Sequence, residues 1–342
     1  MKGEASMARN GLGTAKGKTL KILEANRGRS VSGEKLAADI GVSRAAIWKA
    51  VESLRKEGYS ISASTNRGYI LAVDSDVLSA QGILPFINEE IYPYGENYIR
   101  VHKILKTTNE EAKRMALEGA HAGTVILAEE QTNGKGRLGR PFFSPPGTGL
   151  YMSLIIRPDF DTGKSLLVTT AASVAVCRAI KKTYGVDAQI KWVNDIFFEG
   201  RKVCGILTEA ISNFESGRIN AIIIGIGINC STKREDMPEE IRETAGSLPG
   251  GVSRNILAAE IINELFDILS NFTEGPYPVY MDEYRRRSLV LRKDIKVYKN
   301  TSSNESLNAK AIDITDDGGL IVIYEDGRKD TLTTGEISIR LA

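Results

Sequence analysis

The segment Glu130-Gln-Thr-Asn-Gly-Lys-Gly-Arg-Leu-Gly-Arg-Pro-Phe-Phe-Ser-Pro-Pro146 places lysine and arginine among closely spaced glycines. Apolar runs at residues 124–129 and 150–156 flank it and predict two buried strands. Glycine allows a sharp turn and close approach to a ligand, and the planar fork of arginine suits phosphate or carboxylate. The pattern therefore predicts a loop between two strands that binds an anion.

A second polar segment, Lys191-Trp-Val-Asn-Asp195, ends another predicted strand further along the chain. We expect the two segments to bind one anionic ligand between them. On the glycine-basic pattern alone, a solvated basic loop that binds no ligand is an open alternative.

The sequence argues against two common nucleotide-binding motifs. Gly134-x-Gly136-x-x-Gly139 has the spacing of the dinucleotide fingerprint, which requires a helix to start within it. The prolines at 141, 145 and 146 block such a helix. The segment 163–165 resembles the end of a Walker A loop, but proline occupies the position of the first glycine that the motif requires.

The composition is that of an ordinary globular protein, with 342 residues, 42% hydrophobic residues and a net charge of +2. The length predicts two or three domains. No apolar run approaches the ~20 residues that span a bilayer, and the basic N-terminus lacks the apolar core of a secretory signal. We therefore expect a cytoplasmic protein that does not bind membranes.

The three cysteines, Cys177, Cys204 and Cys230, have no CxxC spacing. We expect reduced, mostly buried thiols and no zinc site. Because His102 and His121 are the only histidines, the sequence also argues against a serine or cysteine hydrolase triad.

Residues 18–80 predict a winged helix-turn-helix domain. Residues 1–17, rich in glycine, lysine and alanine, are expected to form a disordered tail. The first helix begins near Leu20, the second spans Gly33 to Ile40, and the third runs from a Ser43 cap to Glu57. Two strand-like segments around a basic turn then predict the wing.

The third predicted helix has the features of a DNA recognition helix, whose N-terminal residues enter the major groove. Residues Lys18–Ala72 contain ten Lys/Arg and five Asp/Glu, a net +5 against +2 for the whole chain, as phosphate binding requires. A winged helix that contacts protein, with a partly buried Trp48 and solvated arginines, is an open alternative. The predicted DNA-contacting residues are Ser43, Arg44, Ala45, Trp48 and Arg67.

Residues 81–279 predict a larger α/β region, reached through a linker or short helix at 74–95. Thr107 or Thr108 is expected to cap a helix, and a long apolar helix that ends near Tyr184 is expected to lie buried across a sheet. The apolar strand at 218–228 contains two glycines, which indicate close approach of a flat ligand or another backbone.

Residues 280–342 predict an all-β domain. Glycine turns separate the strand-like segments, which suits a small closed barrel. These segments lie at 290–298, 309–315, 320–324, 329–333 and 337–341.

The order of these features resembles that of the bifunctional biotin protein ligase and biotin-operon repressor family, over nearly the whole chain from about Lys18. The resemblance implies an α/β multidomain protein with an N-terminal winged helix-turn-helix, a central α+β domain like that of class II synthetases, and a C-terminal SH3-like β-barrel. The motifs that carry it are Thr107-Thr-Asn109, Gln131 with Gly134–Arg140, Lys191–Asp195, Lys202–Leu207 and Gly225–Asn229.

The resemblance also implies a two-step reaction. The carboxylate of biotin attacks the α-phosphate of ATP to form biotinyl-5'-AMP, with Mg²⁺ on the pyrophosphate side. The adenylate then acylates a lysine of the biotin carboxyl carrier protein of acetyl-CoA carboxylase. An adenylate-bound homodimer is expected to bind operator DNA and repress biotin operon genes.

Residue roles follow from the same resemblance. Lys191 and Arg137 are the implied catalytic residues, with Lys191 contacting both biotin and phosphate. The loop at 134–140 is expected to fold over the adenylate, and Thr107–Asn109 with Gln131 to bind the polar ring and tail of biotin. The implied biotin and adenylate site comprises Thr107, Thr108, Asn109, Gln131, Gly134, Lys135, Gly136, Arg137, Lys191, Asn194, Gly205, Gly227 and Asn229.

Three positions differ from the family pattern. Lys135 replaces a usual arginine and keeps the charge without the planar fork. Val193 replaces a frequent proline and is expected to loosen its turn. Thr107 replaces a serine. Two alternatives stay open. The first is a non-catalytic regulator that senses a small molecule, which the intact Lys191, Arg137 and glycine loop disfavour. The second is a lipoate-type ligase, which the winged helix and the segment at 191–195 disfavour.

Overall fold

The computed structural model describes residues 13–64, 67–157, 165–212, 219–271, 279–298, 306–333 and 338–341. The N-terminal module is a three-helix unit with a two-stranded antiparallel wing, as predicted. Its elements are α1 (Ala15–Ala25), α2 (Gly33–Ile40), α3 (Arg44–Lys56), β1 (Ile61–Ser64) and β2 (Gly68–Leu71).

Serine caps define the helix-turn-helix. The Ser32 hydroxyl accepts a hydrogen bond from the Lys35 amide at 3.0 Å, and the Ser43 hydroxyl accepts one from the Ala46 amide at 3.2 Å. Gly41, with φ of 77°, ends α2 in the left-handed conformation. The apolar face of α3 is buried in the module's core, as its sequence period predicts.

The predicted tail of residues 1–17 extends too far. Helix α1 begins at Ala15, because the Thr14 side chain accepts a hydrogen bond from the Gly17 amide and caps the helix. Gly17 is itself buried within α1. The remainder of that prediction, residues 1–12, lies outside the described residues.

The connection between the first two modules is anchored at both ends. It contains a short helix, α4 (Ala80–Ile83). On the winged-helix side, Arg27 donates to the Ser75 carbonyl at 2.6 Å. On the other side, the buried Arg254 forms ion pairs with Asp76 at 2.8 Å and with Glu129 at 2.7 Å. The segment predicted as a linker or short helix is therefore fixed to both modules.

The central module is built on a seven-stranded mixed sheet in the order β3-β4-β5-β9-β8-β7-β6. Only β3 and β4 pair in parallel, and the other neighbours are antiparallel, as in an α+β domain. Its strands are β3 (Ile99–Leu105), β4 (Val125–Gln131), β5 (Gly149–Ile156), β6 (Gln189–Lys191), β7 (Asp195–Phe198), β8 (Arg201–Ser212) and β9 (Ile219–Asn229).

Helices cover both faces of this sheet. On one face, α6 (Ser165–Tyr184) and α7 (Arg254–Ser270) pack over the larger core, and the middle of α6 is almost wholly buried, as predicted. On the other face, α5 (Thr108–Leu117) packs over a smaller apolar cluster. No helix within the described ranges is long and apolar enough to cross a bilayer.

The C-terminal region departs from its predicted all-β start. Residues Tyr280–Arg286 form helix α8, in which Tyr280, Met281 and Tyr284 are buried at helical spacing. This helix packs against α6, so tertiary contact with an apolar helix decides its conformation. The strand predicted from residue 290 begins at 294 for the same reason, since α8 and its C-terminal turn come first.

Five antiparallel strands follow α8, in the order β13-β12-β11-β10-β14. Among the described residues no ladder joins β13 to β14. The strands are β10 (Asp294–Tyr298), β11 (Leu307–Ile314), β12 (Leu320–Tyr324), β13 (Lys329–Leu332) and β14 (Ser338–Leu341).

Candidate active site

The glycine-rich loop connects β4 to β5, as predicted, and folds back on itself. The Gly136 amide donates to the Arg140 carbonyl at 2.7 Å, and the Phe142 amide donates to the Gly134 carbonyl at 2.9 Å. A β-carbon at position 134 would lie 2.3 Å from the Phe142 carbonyl oxygen, so only glycine fits there. The loop is therefore a compact turn that projects the side chains at its tip.

Arg137 joins this loop to the second predicted segment. Its Nη1 donates to Asn194 Oδ1 at 2.7 Å, and Asn194 Nδ2 donates to the Ile206 carbonyl at 2.7 Å. Burial lowers the pKa of Arg137, while the Asp195 carboxylate opposes that shift; arginine stays protonated in proteins at neutral pH. The structure thus holds a half-buried cation where the two segments meet.

Lys191 ends β6 beside this contact. Its Nζ lies 5.7 Å from the centroid of the Phe197 ring. The Trp192–Val193 peptide bond is cis. The Val193 carbonyl, in the turn that valine in place of proline was expected to loosen, accepts hydrogen bonds from the Tyr284 hydroxyl at 3.0 Å and from the Ser173 hydroxyl at 3.3 Å.

A buried polar cluster lies at the N-terminus of α5. Thr107 caps this helix by accepting from the Glu110 amide at 2.9 Å. The Thr108 amide donates to Gln131 Oε1 at 2.8 Å. The Ser153 hydroxyl lies 2.7 Å from Thr108 Oγ1 and 2.6 Å from Asn109 Oδ1. The predicted threonines, asparagine and glutamine are therefore brought together.

Two serines of this cluster were missed by the sequence reasoning. Ser153 is fully buried in the middle of β5, and Gln131 Nε2 donates to Ser144 Oγ at 3.0 Å. A serine in an otherwise apolar strand is the signal that could have found Ser153, because a buried hydroxyl needs a polar partner.

Gly205 and Gly227, two glycines of the predicted site, lie opposite each other on neighbouring strands. Gly205 of β8 pairs with Gly227 of β9. A β-carbon at position 227 would lie 2.6 Å from Phe142 Cε1, and one at position 205 would lie 3.5 Å from Phe142 Cε2. The surface expected to take a thin ligand is therefore covered here by the Phe142 ring, an aromatic residue that the sequence reasoning did not single out.

Two further predicted site residues, Lys135 and Asn229, have polar partners within the protein. The exposed Lys135 ammonium forms an ion pair with Glu110 Oε1 at 2.9 Å, and a hydrogen bond from Lys135 lowers the pKa of Glu110. Asn229 Nδ2 donates to the Gly246 carbonyl at 2.9 Å. The first contact places Lys135 on the solvent side of α5, and the second ties the end of β9 to a following loop.

The predicted DNA-contacting residues share an exposed surface. Ser43, Arg44 and Ala45 are exposed at the start of α3, and Arg67 is exposed in the wing. Trp48 is 56% exposed, which excludes the alternative that it is a core aromatic. The arrangement suits a recognition helix flanked by a wing.

The described residues offer neither a metal cluster nor a thiol nucleophile. No group of three or more His, Cys, Asp or Glu side chains suited to a metal ion occurs in this part of the chain. The three cysteines are buried, as predicted. Burial raises the pKa of Cys177 and of Cys230 to about 12, so the thiolate form of either is scarce at neutral pH.

Known families match all three modules. Residues 101–229 match the family described as "Biotin/lipoate A/B protein ligase family". Residues 17–70 match a family described as "HTH domain", and residues 300–340 match "Biotin protein ligase C terminal domain".

Individual relatives match across almost the whole chain. The "Bifunctional ligase/repressor BirA" of Bacillus subtilis is 36% identical over 87% of this chain and 91% of that protein. The protein of the same name from Escherichia coli is 27% identical over 91% of this chain and 93% of its own length. The structure titled "Biotin protein ligase from Aquifex aeolicus in complex with biotin and ATP" has a TM-score of 0.61 at 26% identity, covering 71% of this chain and 99% of that one. The chain belongs to the bifunctional ligase/repressor family of biotin protein ligases.

Proposed function

We propose that this chain is an ATP-dependent biotin–protein ligase that also acts as a biotin-responsive transcriptional repressor. Membership of the ligase/repressor family supports both activities. The observation that carries the ligase assignment is the contact between Arg137 and Asn194, which joins the glycine loop to the segment that ends in Lys191.

The first step requires cations because two anions must meet. An oxygen of the biotin carboxylate forms a bond to the α-phosphorus of ATP, and the bond from that phosphorus to the oxygen bridging the α- and β-phosphates breaks. Pyrophosphate leaves with the bonding electron pair. We assign Lys191 and Arg137 the role of neutralising charge on the α-phosphate, which cations fixed beforehand do without reorganisation.

The polar cluster at α5 suits the other end of biotin. Thr108, Asn109 and Gln131 offer donors and acceptors for its polar ring and tail, with Ser153 holding the threonine and asparagine side chains. Gly205 and Gly227 would give the thin bicycle a flat surface, from which it would have to displace the Phe142 ring that covers it here.

In this scheme Mg²⁺ binds together with ATP. The described residues contain no carboxylate cluster that would hold the ion without phosphate, and Mg²⁺ is commonly bound through substrate phosphates and a few protein oxygens. We therefore treat MgATP as the nucleotide substrate.

The second step transfers biotin to a carrier protein. The neutral amine of a carrier lysine attacks the acyl carbon of biotinyl-AMP, the acyl carbon–oxygen bond to AMP breaks, and the amine loses a proton as the amide forms. Closure of the loop at 134–140 would keep water from the mixed anhydride in the meantime. The biotin carboxyl carrier protein of acetyl-CoA carboxylase is the acceptor that we propose.

A direct assay separates this proposal from its alternatives. The full chain is incubated with MgATP and either biotin or lipoate, and pyrophosphate and the acyl adenylate are measured. Carrier protein with and without its acceptor lysine is then added. We expect biotinyl-AMP and biotin transfer to the lysine only. Adenylation of lipoate in preference to biotin would identify a lipoate-type ligase, and no adenylate with either acid would indicate a non-catalytic sensor.

The repressor activity has its own test. Helix-turn-helix proteins commonly bind two half-sites as dimers, and we propose that biotinyl-AMP promotes a homodimer that binds operator DNA. Sedimentation and gel shift with the upstream DNA of biotin genes should both respond to the adenylate. A monomer that binds this DNA equally well without adenylate would contradict the proposed control.

A further inference from the structure

The strand that carries Lys191 is held by the C-terminal part of the chain. Strand β6 is the last strand of the central sheet. Its outer side pairs with residues 287–289: the Ile190 amide donates to the Arg287 carbonyl at 2.8 Å, and the Leu289 amide donates to the Ile190 carbonyl at 2.7 Å. The backbone just before Lys191 is therefore fixed by the segment that follows α8.

The residue just after Lys191 is held by the C-terminal sheet. Trp192 is 4% exposed, and its indole N–H donates to the Gly318 carbonyl at 2.9 Å. Gly318 lies in the turn between β11 and β12. Within that turn the Gly318 amide donates to the Thr315 carbonyl and the Gly319 amide to the Thr315 hydroxyl, both at 2.9 Å.

This turn cannot shift freely, because it is packed against the catalytic module. Gly318 has φ of +86°, and a β-carbon there would lie 3.2 Å from Thr170 Cγ2 and 3.3 Å from Leu166 Cγ on α6. Arg285 of α8 donates to the Ile314 carbonyl at 2.8 Å and pairs with Asp316. The carbonyl that receives the Trp192 indole is thus fixed by two helices.

Building on the proposed ligase function, we propose that Trp192 is a positioning residue for Lys191 and that the turn Thr315–Gly319 holds it in place. Lysine has a long flexible side chain, so the direction of its ammonium group depends on a fixed backbone. A shift of about 1 Å in a catalytic group can cost about 100-fold in rate. The C-terminal sheet then contributes to adenylate formation through the position of Lys191.

The chain offers a matched pair of glycine variants as a test. Gly327 also lies in a turn of the C-terminal sheet, with φ of +84°, but no atom lies within 4 Å of a β-carbon built there. Gly318→Ala and Gly327→Ala therefore introduce the same backbone strain, and only the first presses on α6. Trp192→Phe is a second variant, which keeps an aromatic ring and removes the N–H donor.

The measurements separate positioning from general stability. For each variant we would determine the rate of pyrophosphate release from biotin and MgATP, the rate of transfer from supplied biotinyl-AMP to carrier protein, and the thermal midpoint. We expect Gly318→Ala and Trp192→Phe to slow the first step by about 10- to 100-fold. Transfer should slow less, because its attacking group is a neutral amine and not a carboxylate. Gly327→Ala should keep both rates.

Two results would overturn the proposal. One is a Gly318→Ala protein that forms adenylate as fast as Gly327→Ala while Trp192→Phe matches the wild type. The other is a proportional loss of both steps, which would indicate a structural role only. A wild-type protein that releases no pyrophosphate would overturn the ligase assignment itself, so the two failures are distinguishable.

Discussion

Arg137 and Asn194 lie 57 residues apart in the chain, yet the guanidinium of one donates to the side-chain oxygen of the other at 2.7 Å. The first belongs to the loop between β4 and β5, and the second to the turn between β6 and β7. The contact ties the long Arg137 side chain to Asn194, which in turn donates a hydrogen bond to the Ile206 carbonyl. It suggests how the loop would be retained over a bound adenylate.

Arg137→Gly should let biotinyl-AMP escape from the site. A hydrogen bond to a charged group is worth about 1.5–3 kcal/mol, so we expect release to accelerate by about 10- to 100-fold. Nonspecific biotin labelling of bystander proteins should rise in proportion. Arg140→Gly removes the same charge from an exposed position of the loop and is the control. Equal labelling by both variants and the wild type would remove Arg137 from the adenylate contact.

Lys191→Ala should abolish adenylate formation in a protein that stays folded. Loss of one fixed charge-stabilising donor typically costs about 100- to 1000-fold in rate, measured here as pyrophosphate release from biotin and MgATP. Lys310→Ala, on an exposed position of β11, is a control that should retain the wild-type rate. A Lys191→Ala protein that released pyrophosphate normally would contradict the assigned role.

Arg44→Ala should weaken operator binding and leave ligation unchanged. Arg44 is exposed in the first turn of α3, where recognition helices meet DNA, and a base or phosphate contact of this kind is worth about 1–3 kcal/mol. Lys56→Ala removes a charge from the last turn of the same helix and should have a smaller effect. A gel shift measures operator affinity, and the rate of biotin transfer shows whether ligation is unchanged. Equal loss of operator affinity in the two variants would indicate that α3 contributes only its overall positive charge and does not act as a recognition helix.

Glu283 should make the stability of the C-terminal junction depend on pH. Burial raises its pKa, but hydrogen bonds from Arg287 and Arg178 outweigh burial and hold the pKa below the ordinary 4.5. A carboxyl with a lowered folded pKa stabilises the protein above its unfolded pKa, and that stabilisation is lost as pH falls through the folded value. The window therefore lies below about pH 4.5.

Glu283→Gln tests this dependence. We expect it to lower the free energy of unfolding at pH 7 by about 1–3 kcal/mol and to flatten the loss of stability in acid, both measured by urea denaturation. Asp282→Asn is the neighbouring control, because Asp282 is mostly exposed in its pair with Arg285 and such pairs contribute little. An unchanged acid profile in Glu283→Gln would show that another group governs it.

Arg254→Gln should destabilise the junction between the winged helix and the ligase module. The Arg254 side chain is 3% exposed and pairs with Asp76 of the connection and Glu129 of β4. Removing it leaves two carboxylates without their cation, at a cost of about 3 kcal/mol. Lys21→Gln breaks an exposed pair between the same modules, with Glu96, and should cost less than about 1 kcal/mol. Equal shifts of the denaturation midpoint in Arg254→Gln and Lys21→Gln would contradict the larger contribution assigned to Arg254.

Local sequence signals located most elements well. Helix α2 has the predicted bounds, because its serine cap and terminal glycine act through neighbouring backbone groups. The cap at Thr107 was likewise found from residues close in sequence. The start of α1 and helix α8 were misjudged, since a capping threonine and a packing partner outweighed the absence of an obvious apolar period.

The site was predicted in its chemistry but not in its contacts. The cations, the glycines and the polar segment were visible in the sequence, because each residue type carries its own chemistry. The roles of Phe142 and Ser153 were not, because each touches residues far away in the chain. Strand order and register decide such neighbours, and no local pattern encodes them.

The sequence by itself determined the capped starts of α2 and α3, which loop needs glycine, and which groups could meet an anion. The tertiary structure decided the partners of two of the three cations in that loop: Lys135 pairs with Glu110 at the surface, whereas Arg137 donates to the buried Asn194. It also decided that a turn of the C-terminal sheet meets Trp192 beside Lys191. The physical reason is that propensity, capping and charge act over a few residues, whereas a partner for a buried polar group is supplied by whichever distant segment the sheet and helix packing brings within about 3 Å.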